Sequence, residues 1–298
     1  MQRILSPQMA LTDSPYRPAL WARLRTVLGI EGLAGLALLT LLITAAVLAP
    51  FLAPYDPDEF TGRPLEHPSA AHRLGTNDVG QDILSELIYG ARVSITVAAG
   101  AATGTVILAV LIGGTASYAG GWIDMLLMRL VDLLMALPRL PLLILINALL
   151  GAGLSQMILT IALLFWPGTA RIIRAQVMSV RQRGYVRMAR SFGGSPVYIF
   201  VRHVLPQIAP LIVFGLVTAA GRAVALEAGL AFLGLGDPTA KSWGLIMRYA
   251  LNLPGLFLAE RWLWWLLPPG ICITLLILAL TFIGMGMESH LDTRLRQR

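Results

Sequence analysis

The sequence is poor in charged residues, in lysine and in cysteine. Only 13% of its 298 residues are charged, and Lys241 is the single lysine among 23 basic residues. A soluble domain with so few charges and 56% hydrophobic residues would aggregate. The lone Cys272 lies in an apolar run, which excludes a disulfide framework or a cysteine-rich metal site within one chain. These absences leave a polytopic membrane protein, in agreement with the mean hydropathy of +0.72.

Nucleotide-binding and hydrolase motifs are also missing. A phosphate-binding loop requires Gly-Lys followed by Ser or Thr, but Lys241 follows Ala240. Neither H-E-x-x-H nor G-x-S-x-G occurs, and no nucleophile and base stand at a useful spacing for a membrane enzyme. The four histidines fall in predicted loops or at the ends of apolar segments: His67, His72, His203 and His290. We therefore expect no catalytic residue, no metal site and no cofactor on this chain.

Six apolar segments are long enough to cross the hydrocarbon core of a membrane, which takes about 20 helical residues. They are residues 32–53, 93–117, 124–150, 156–173, 207–233 and 263–287. The predicted fold is an all-α integral membrane protein with six transmembrane helices. The predicted organisation is a tail over 1–31, a transmembrane domain over 32–287 and a tail over 288–298. Within that domain the hydrophilic segments are 54–92, 177–206 and 234–262.

The charges predict the orientation of these segments. Arginines concentrate in the two tails and in 177–206, whereas acidic residues outnumber basic ones in 54–92. The positive-inside rule then places both tails and 177–206 in the cytoplasm, and 54–92 and 234–262 outside. The net charge of +7 does not indicate nucleic-acid binding, because the arginines lie between apolar spans and form no continuous groove.

The segment 181–206 is amphipathic and carries five arginines, so it must lie in water or against a partner. Its first half has an apolar stripe at helical spacing: Tyr185, Met188 and Phe192. Gly193 and Gly194 end this helix, and Ser195 followed by Pro196 is a typical start for the next. The second stripe is Val197, Phe200, Val201, Val204 and Leu205. Two helices this short need a groove to sit in, although a solvated loop would give the same pattern.

The outer segments show three weaker patterns. Apolar spacing predicts an interfacial helix over 77–89 and an amphipathic helix within 243–251. Asp78 and Asp82 are one turn apart, which suits the acidic start of a helix better than half of a metal site. The tryptophans predict an interfacial belt at the start of the last span: Trp262, Trp264 and Trp265.

Ionisable residues inside the predicted spans are costly in lipid and therefore face a cavity or a partner. Arg129 and Asp132 are three residues apart, and we expect a local ion pair between them. Arg222 and Glu227 lie deeper, where they either contact a transported solute or pair with each other or with a neighbouring helix. Pro138 and Pro141 should kink the third span.

Five short motifs occur along the chain: residues 74–82 (LGTNDVGQD), 88–94 (IYGARVS), 118–124 (YAGGWID), 232–236 (FLGLG) and 242–244 (SWG). Together they resemble the dipeptide, oligopeptide and nickel-type branch of the ABC-importer permeases. In this family the EAA loop is the coupling helix that docks on a separate nucleotide-binding subunit, and 181–206 resembles it. Arg187, Met188 and Ala189 stand at the E-A-A positions, Gly193 at the glycine and residues 205–206 at the closing Leu-Pro. The resemblance extends from about residue 54 to 292.

The resemblance implies a type I importer-like permease in a bacterial or archaeal cytoplasmic membrane. Its implied partners are a second homologous permease, two ATP-binding subunits that hold ATP and Mg²⁺, and an extracytoplasmic solute-binding protein. The coupling residues that it implies are Arg183, Tyr185, Arg187, Met188, Ala189, Gly193, Ser195 and Phe200. Arg222 and Glu227 lie on the span that should line the translocation path. Because Arg187 replaces the usual glutamate, the resemblance also implies a partner surface adapted to a positive charge.

Two questions about function stay open at the level of sequence. The resemblance favours di- or oligopeptides as cargo, but nickel, metal chelates and oligosaccharides are carried by similar permeases. An ion-coupled secondary transporter that uses Asp132, Arg222 and Glu227 as a relay is the alternative from a different class. An internal inverted repeat would favour that alternative, and the sequence shows none.

Overall fold

The computed structural model describes the backbone of residues 20–151 and 153–296, and the side chains of 28–151 and 153–288. Most of the predicted tail over 1–31 lies outside the described residues. The helices are α1 (Leu20–Val47), α2 (Ala49–Leu52), α3 (Ile83–Ala119), α4 (Gly121–Ala136), α5 (Arg139–Leu150), α6 (Leu154–Arg181), α7 (Gly184–Ser191), α8 (Pro196–Ile199), α9 (Leu205–Phe232), α10 (Trp243–Asn252) and α11 (Leu267–Arg296). The described part of the chain has no β-strand beyond one isolated bridge between Thr76 and Asp82.

The described residues form a helical bundle whose long helices have the length and composition of membrane spans. Among the described residues, five helical segments are long and apolar enough to cross a membrane, and the bent pair of α4 and α5 makes a sixth if it is one span. Large apolar side chains are exposed along the helices, as expected where helices face lipid. The all-α membrane fold predicted from the sequence is confirmed.

The third predicted span is broken, not merely kinked. Between α4 and α5 the helix axis turns by 86°. Leu137 is extended, with φ −75° and ψ 141°, because the ring of Pro138 disfavours the helical conformation of the residue before it. The bend predicted from Pro138 and Pro141 is therefore present, and it is sharp enough to divide the span over 124–150 into two helices.

The second span begins earlier than predicted. Asp82 caps α3 by accepting a hydrogen bond from the Ser85 amide at 2.8 Å. From Ile83 the helix runs without interruption to Ala119, so the interfacial helix predicted over 77–89 does not exist as a separate element. The acidic residue at the start of a helix was predicted correctly for Asp82, whereas Asp78 lies exposed in the preceding loop.

Both ends of the described chain lie at one end of the bundle. Helices α1 and α11 are antiparallel, since Gly32 approaches Gly286 while Gly35 approaches Ala279. Leu28 and Met287 pack in one cluster with Phe214 of the first half of α9. We call this the elbow end, because residues 181–206, hereafter the elbow, also lie there. The opposite end, with residues 54–82 and 233–266, is the loop end.

Three of the four tryptophans of the loop end are core residues. Trp265 is 1% exposed and Trp264 7%, so the predicted interfacial belt is wrong for both. The segment before α3 folds over them, and its Gly75 lies so close to Trp264 that an added Cβ would be 3.2 Å from the indole. The predicted helix within 243–251 is present as α10, where Trp243 is buried and donates a hydrogen bond to the Leu87 carbonyl at 2.8 Å.

Candidate functional site

The elbow is a helical hairpin between α6 and α9. Gly193 adopts φ +81°, a left-handed conformation that L side chains rarely adopt, and reverses the chain after α7. Ser195 caps α8 by accepting from the Tyr198 amide at 3.3 Å, as its sequence position predicts. A π-helical turn, Phe200–Val204, then joins α8 to α9. Gly193 and the Ser195 cap thus set the shape of the elbow.

The side chains that hold the elbow on the bundle are small aliphatic residues. Val186 of α7, Ile199 of α8 and Val204 of the π-helical turn are each at most 2% exposed. They share a cluster with Ile173 and Val177 of α6. Burying this set gives the elbow a fixed attachment to α6, which a solvated loop would lack.

The predicted apolar stripe of α7 faces outward. Tyr185 is 41% exposed, Met188 60% and Phe192 82%. In the second half of the elbow Val197 and Val201 are also more than half exposed. The elbow therefore presents exposed apolar side chains on both of its halves, and such exposed side chains, where they are grouped, mark interaction sites.

Phe200 has a different environment from the other predicted coupling residues. Its ring packs edge-to-face on Tyr118 of α3, with 6.2 Å between ring centroids. An added Cβ on Gly114 of α3 would lie only 3.1 Å from the Phe200 ring. Phe200 thus anchors the elbow to the end of α3, and its exposed fraction is intermediate.

The arginines of the elbow have no acidic partner among the described residues. Arg183 donates from Nη1 to the amide oxygen of Gln207 at 3.3 Å, and Arg187 is exposed. Ala189, the last of the E-A-A positions, is half-buried against the Val186 cluster. This segment, residues 181–206, contains arginines but no lysine, aspartate or glutamate, so the surface around the exposed apolar side chains is basic.

Ion pairs next to the elbow join α4 to α6. Arg174 makes a two-pronged pair with Asp124, in which Nε lies 2.6 Å from Oδ1, and Arg171 pairs with Asp132. The predicted local pair between Arg129 and Asp132 is wrong, because the adjacent helix α6 places its own arginine on the carboxylate. The sequence has acidic residues in the third predicted span and arginines at the end of the fourth, and this pattern could have suggested ion pairs between the two spans.

Glu227 is buried between three elements and does not reach Arg222. Its carboxyl accepts from the Ser94 hydroxyl of α3 at 3.3 Å and is also bonded by Ser242 before α10. The side chain is 2% exposed. Five helical residues turn the chain by about 500°, which points Arg222 and Glu227 to different sides of α9. The alternative in which these two residues pair with each other is therefore wrong.

Arg222 instead approaches the ring of Phe165 on α6. Its guanidinium carbon lies 5.8 Å from the ring centroid, and that of Arg139 lies 5.7 Å from the same centroid. Neither arginine pairs with a carboxylate in the described part of the chain, and Arg222 is exposed. Arg139, the first residue of α5, was not predicted to join this group, because only the break after α4 brings it there.

At the loop end His72 and Asp82 form a buried pair with 3.0 Å between Nδ1 and Oδ1. This pair was not predicted from the sequence, since nothing in the spacing shows that residues 54–82 fold back on the start of α3. Asp82 also accepts from the Ser85 hydroxyl, so both of its oxygens are occupied. Among the side chains that the structure describes, no three His, Cys, Asp or Glu residues are grouped as a metal site would require.

Comparison with known proteins gives a consistent result. The family model described as "Binding-protein-dependent transport system inner membrane component" matches residues 83–297, and the one described as "N-terminal TM domain of oligopeptide transport permease C" matches 32–72. The chain is 34% identical over 294 residues to the dipeptide transport system permease protein DppC of Bacillus subtilis, covering 96% of this chain and 90% of that one.

Two relatives from Brucella suis biovar 1 are similar as well. A putative peptide permease protein is 36% identical over 262 residues, which cover 87% of this chain and 86% of the relative. A putative peptide transport system permease protein is 38% identical over 265 residues, with coverage of 88% and 87%. These alignments extend over nearly the whole bundle, including the elbow.

Proposed function

The chain belongs to the binding-protein-dependent transport system inner membrane component family, and from that premise we propose that it conducts peptides while its elbow receives force from ATP-binding subunits. As a member, it is a multi-pass permease subunit of an ABC importer. Peptide cargo is supported by the relatives, which are named as peptide and dipeptide permeases. The partners that we propose are a second permease, two ATP-binding subunits with their ATP and Mg²⁺, and an external solute-binding protein.

The observation that carries the coupling role is the outward apolar face of the elbow. Met188 and Phe192 are 60% and 82% exposed, on an elbow that is rigidly attached through Val186 and Ile199. An apolar helical surface with a basic rim fits a groove of a partner. Because the attachment is rigid, a push on this surface moves α6 and α9 together. This movement is how we propose that ATP-driven closure of the partner subunits reorients the helices.

We propose that the elbow end is cytoplasmic. Both described chain ends lie there, and the arginines from 171 to 202 concentrate there as well. The positive-inside rule places such an end in the cytoplasm, where ATP is available. The loop end then faces outward and is the surface that an external binding protein would reach.

We propose Arg222 as a residue of the translocation path and assign Glu227 a structural role. Arg222 lies 17 residues after Leu205, or about 26 Å along α9 from the elbow, and Phe165 lies about 24 Å along α6 from Arg181. This depth is well inside the membrane, where an exposed guanidinium requires water or a partner. A peptide carboxylate is a suitable counter-charge for Arg222 and Arg139.

The coupling role is tested by changing the exposed face without touching the attachment. Met188→Asp together with Phe192→Asp should abolish co-purification of the ATP-binding subunits, because both carboxylates would enter an apolar contact. Leu258→Asp is the matched control, since Leu258 is 92% exposed at the loop end. Normal recovery of the ATP-binding subunits with the double variant would refute the proposal.

A further inference from the structure

Two arginines approach the ring of Tyr118, at the elbow end of α3. The guanidinium carbon of Arg181 is 4.8 Å from the centroid of the Tyr118 ring, and that of Arg190 is 6.0 Å from it. The Tyr118 hydroxyl oxygen is buried and has no hydrogen-bond partner among the described residues. A buried polar atom without a partner costs free energy unless a ligand satisfies it. Two positive charges and an unsatisfied hydroxyl are therefore found at one side chain.

The arginines line a cavity of about 550 Å³ between α6 and α7. Its walls are formed by Met178, Arg181, Gln182, Arg187 and Arg190. No carboxylate among the described side chains pairs with any of these three arginines. Two described acidic residues form ion pairs near the elbow end, and both pair with other arginines: Asp124 with Arg174, and Asp132 with Arg171. The cavity is therefore suited to an anion with several acceptor oxygens.

A second cavity, of about 520 Å³, lies beside Tyr118 between α3 and α8 and is almost entirely apolar. Its lining includes Leu111, Gly114, Val197 and Phe200. Leu111 is 60% exposed, and Ile107, one turn further along α3, is 52% exposed. This groove is therefore continuous with the surface of α3 that faces hydrocarbon.

We propose that an anionic phospholipid binds here, with its phosphate between Arg181 and Arg190 and one acyl chain in the groove between α3 and α8. Guanidinium groups match phosphate oxygens in a forked geometry, and the Tyr118 hydroxyl supplies a further donor. Basic pockets at the end of a bundle are typical headgroup sites. The adjoining apolar groove favours a lipid over a free phosphate, because a small anion leaves the groove empty.

The expected consequence is that the lipid holds the elbow in place. Its headgroup would contact α6 and α7 while its chain packs on Phe200 and Val197, which bridges the elbow to α3. The site requires neither cargo nor ATP-binding subunits, so its test is independent of the proposed transport function.

The test measures lipid retained by the purified chain in detergent, by native mass spectrometry, after equilibration with phosphatidylglycerol or phosphatidylcholine. The wild-type chain should retain phosphatidylglycerol in preference to phosphatidylcholine. Arg190→Gln and Arg181→Gln should each lower this retention about tenfold, the effect of losing a charge-assisted hydrogen bond. Arg190 is exposed, so its substitution should leave folding intact. Arg202→Gln, which removes the same charge from the elbow outside the cavity, should retain the lipid.

Two further arms separate lipid from free anion. Thr115→Trp should fill the groove and reduce retention of phosphatidylglycerol with the arginines intact. Inorganic phosphate at millimolar concentration should fail to displace the bound lipid. Equal retention of both lipids by the wild-type chain, unchanged retention in the arginine variants, or displacement by inorganic phosphate would overturn the proposal.

Discussion

Lys241 Nζ lies 2.9 Å from Glu86 Oε1, and this ion pair joins the segment after α9 to the first turn of α3. The same ammonium donates to the side chain of Gln81 at 2.9 Å and to the carbonyl of Pro57, and it lies 3.2 Å from Asp58. The single lysine of the chain therefore ties three separate segments of the loop end together. Both partners of the central pair are largely buried, with side-chain exposures of 16% for Lys241 and 5% for Glu86.

Lys241→Met should loosen the loop end. Removing the ammonium leaves the Glu86 carboxyl buried without its strongest partner, at a cost of about 3 kcal/mol. Limited proteolysis of the purified protein should then cleave within residues 54–82 faster than in the wild type. Arg73→Gln is the control, because Arg73 is exposed in the same segment. Equal cleavage rates in the two variants would show that the lysine does not hold this segment.

Glu227→Ala should lower stability, whereas Glu227→Gln should leave transport nearly unchanged. The alanine removes the acceptor of Ser94 and leaves buried hydroxyl groups unsatisfied, which costs about 1–3 kcal/mol. The glutamine keeps an oxygen acceptor in a similar position. Thermal unfolding in detergent measures the first effect and uptake by reconstituted importer the second. A large loss of uptake in Glu227→Gln at unchanged stability would indicate instead that Glu227 contacts the cargo in the translocation path.

Arg222→Gln should reduce peptide uptake with little effect on folding, because Arg222 is exposed and makes no described ion pair. Loss of one charge-assisted hydrogen bond to a peptide carboxylate predicts a decrease of about tenfold. Uptake should be measured for a free peptide and for its C-terminal amide. The amide should be insensitive to the substitution, and equal sensitivity of both peptides would contradict the carboxylate contact. Arg129→Gln removes an exposed arginine of α4 as a control for net charge.

Gly35→Val should detach α1 from α11. A Cβ at Gly35 would lie 2.5 Å from the Ala279 carbonyl oxygen and 2.8 Å from the Cβ of Phe282, so the helices would have to separate. Overpacking of this kind costs about 1–3 kcal/mol. Thermal unfolding in detergent should show a lower midpoint for Gly35→Val. Gly168→Ala on α6 should leave the midpoint unchanged, because nothing lies within 4 Å of the Cβ that it adds.

The elbow shows what helical periodicity predicts correctly and what it leaves undecided when the contacts between helices are unknown. Spacing predicted two short helices separated by Gly193 and capped by Ser195, and both features are present. Spacing does not say whether an apolar stripe faces the protein or a partner. The stripe with Met188 and Phe192 faces outward, and the attachment is made by Val186 and Ile199, which the stripe did not include.

The charged residues show a second limit. Arg129 and Asp132 have the spacing of a local pair, yet Asp132 pairs with Arg171, 39 residues away. The distance between α4 and α6 decides this pairing, and spacing within one helix contains no information about it. The same holds for Arg139 and Arg222, which meet at Phe165 only because the chain breaks after Leu137.

The sequence by itself determined that the chain is a helical membrane protein, approximately where its spans lie, and that a basic amphipathic elbow interrupts them. These properties follow from hydropathy and local periodicity, which the chain carries residue by residue. Only the tertiary structure decided which face of the elbow is open, that Glu227 is buried against Ser94 and that Lys241 closes the loop end. Each of these depends on the approach of segments far apart in the chain, and packing between helices sets that approach.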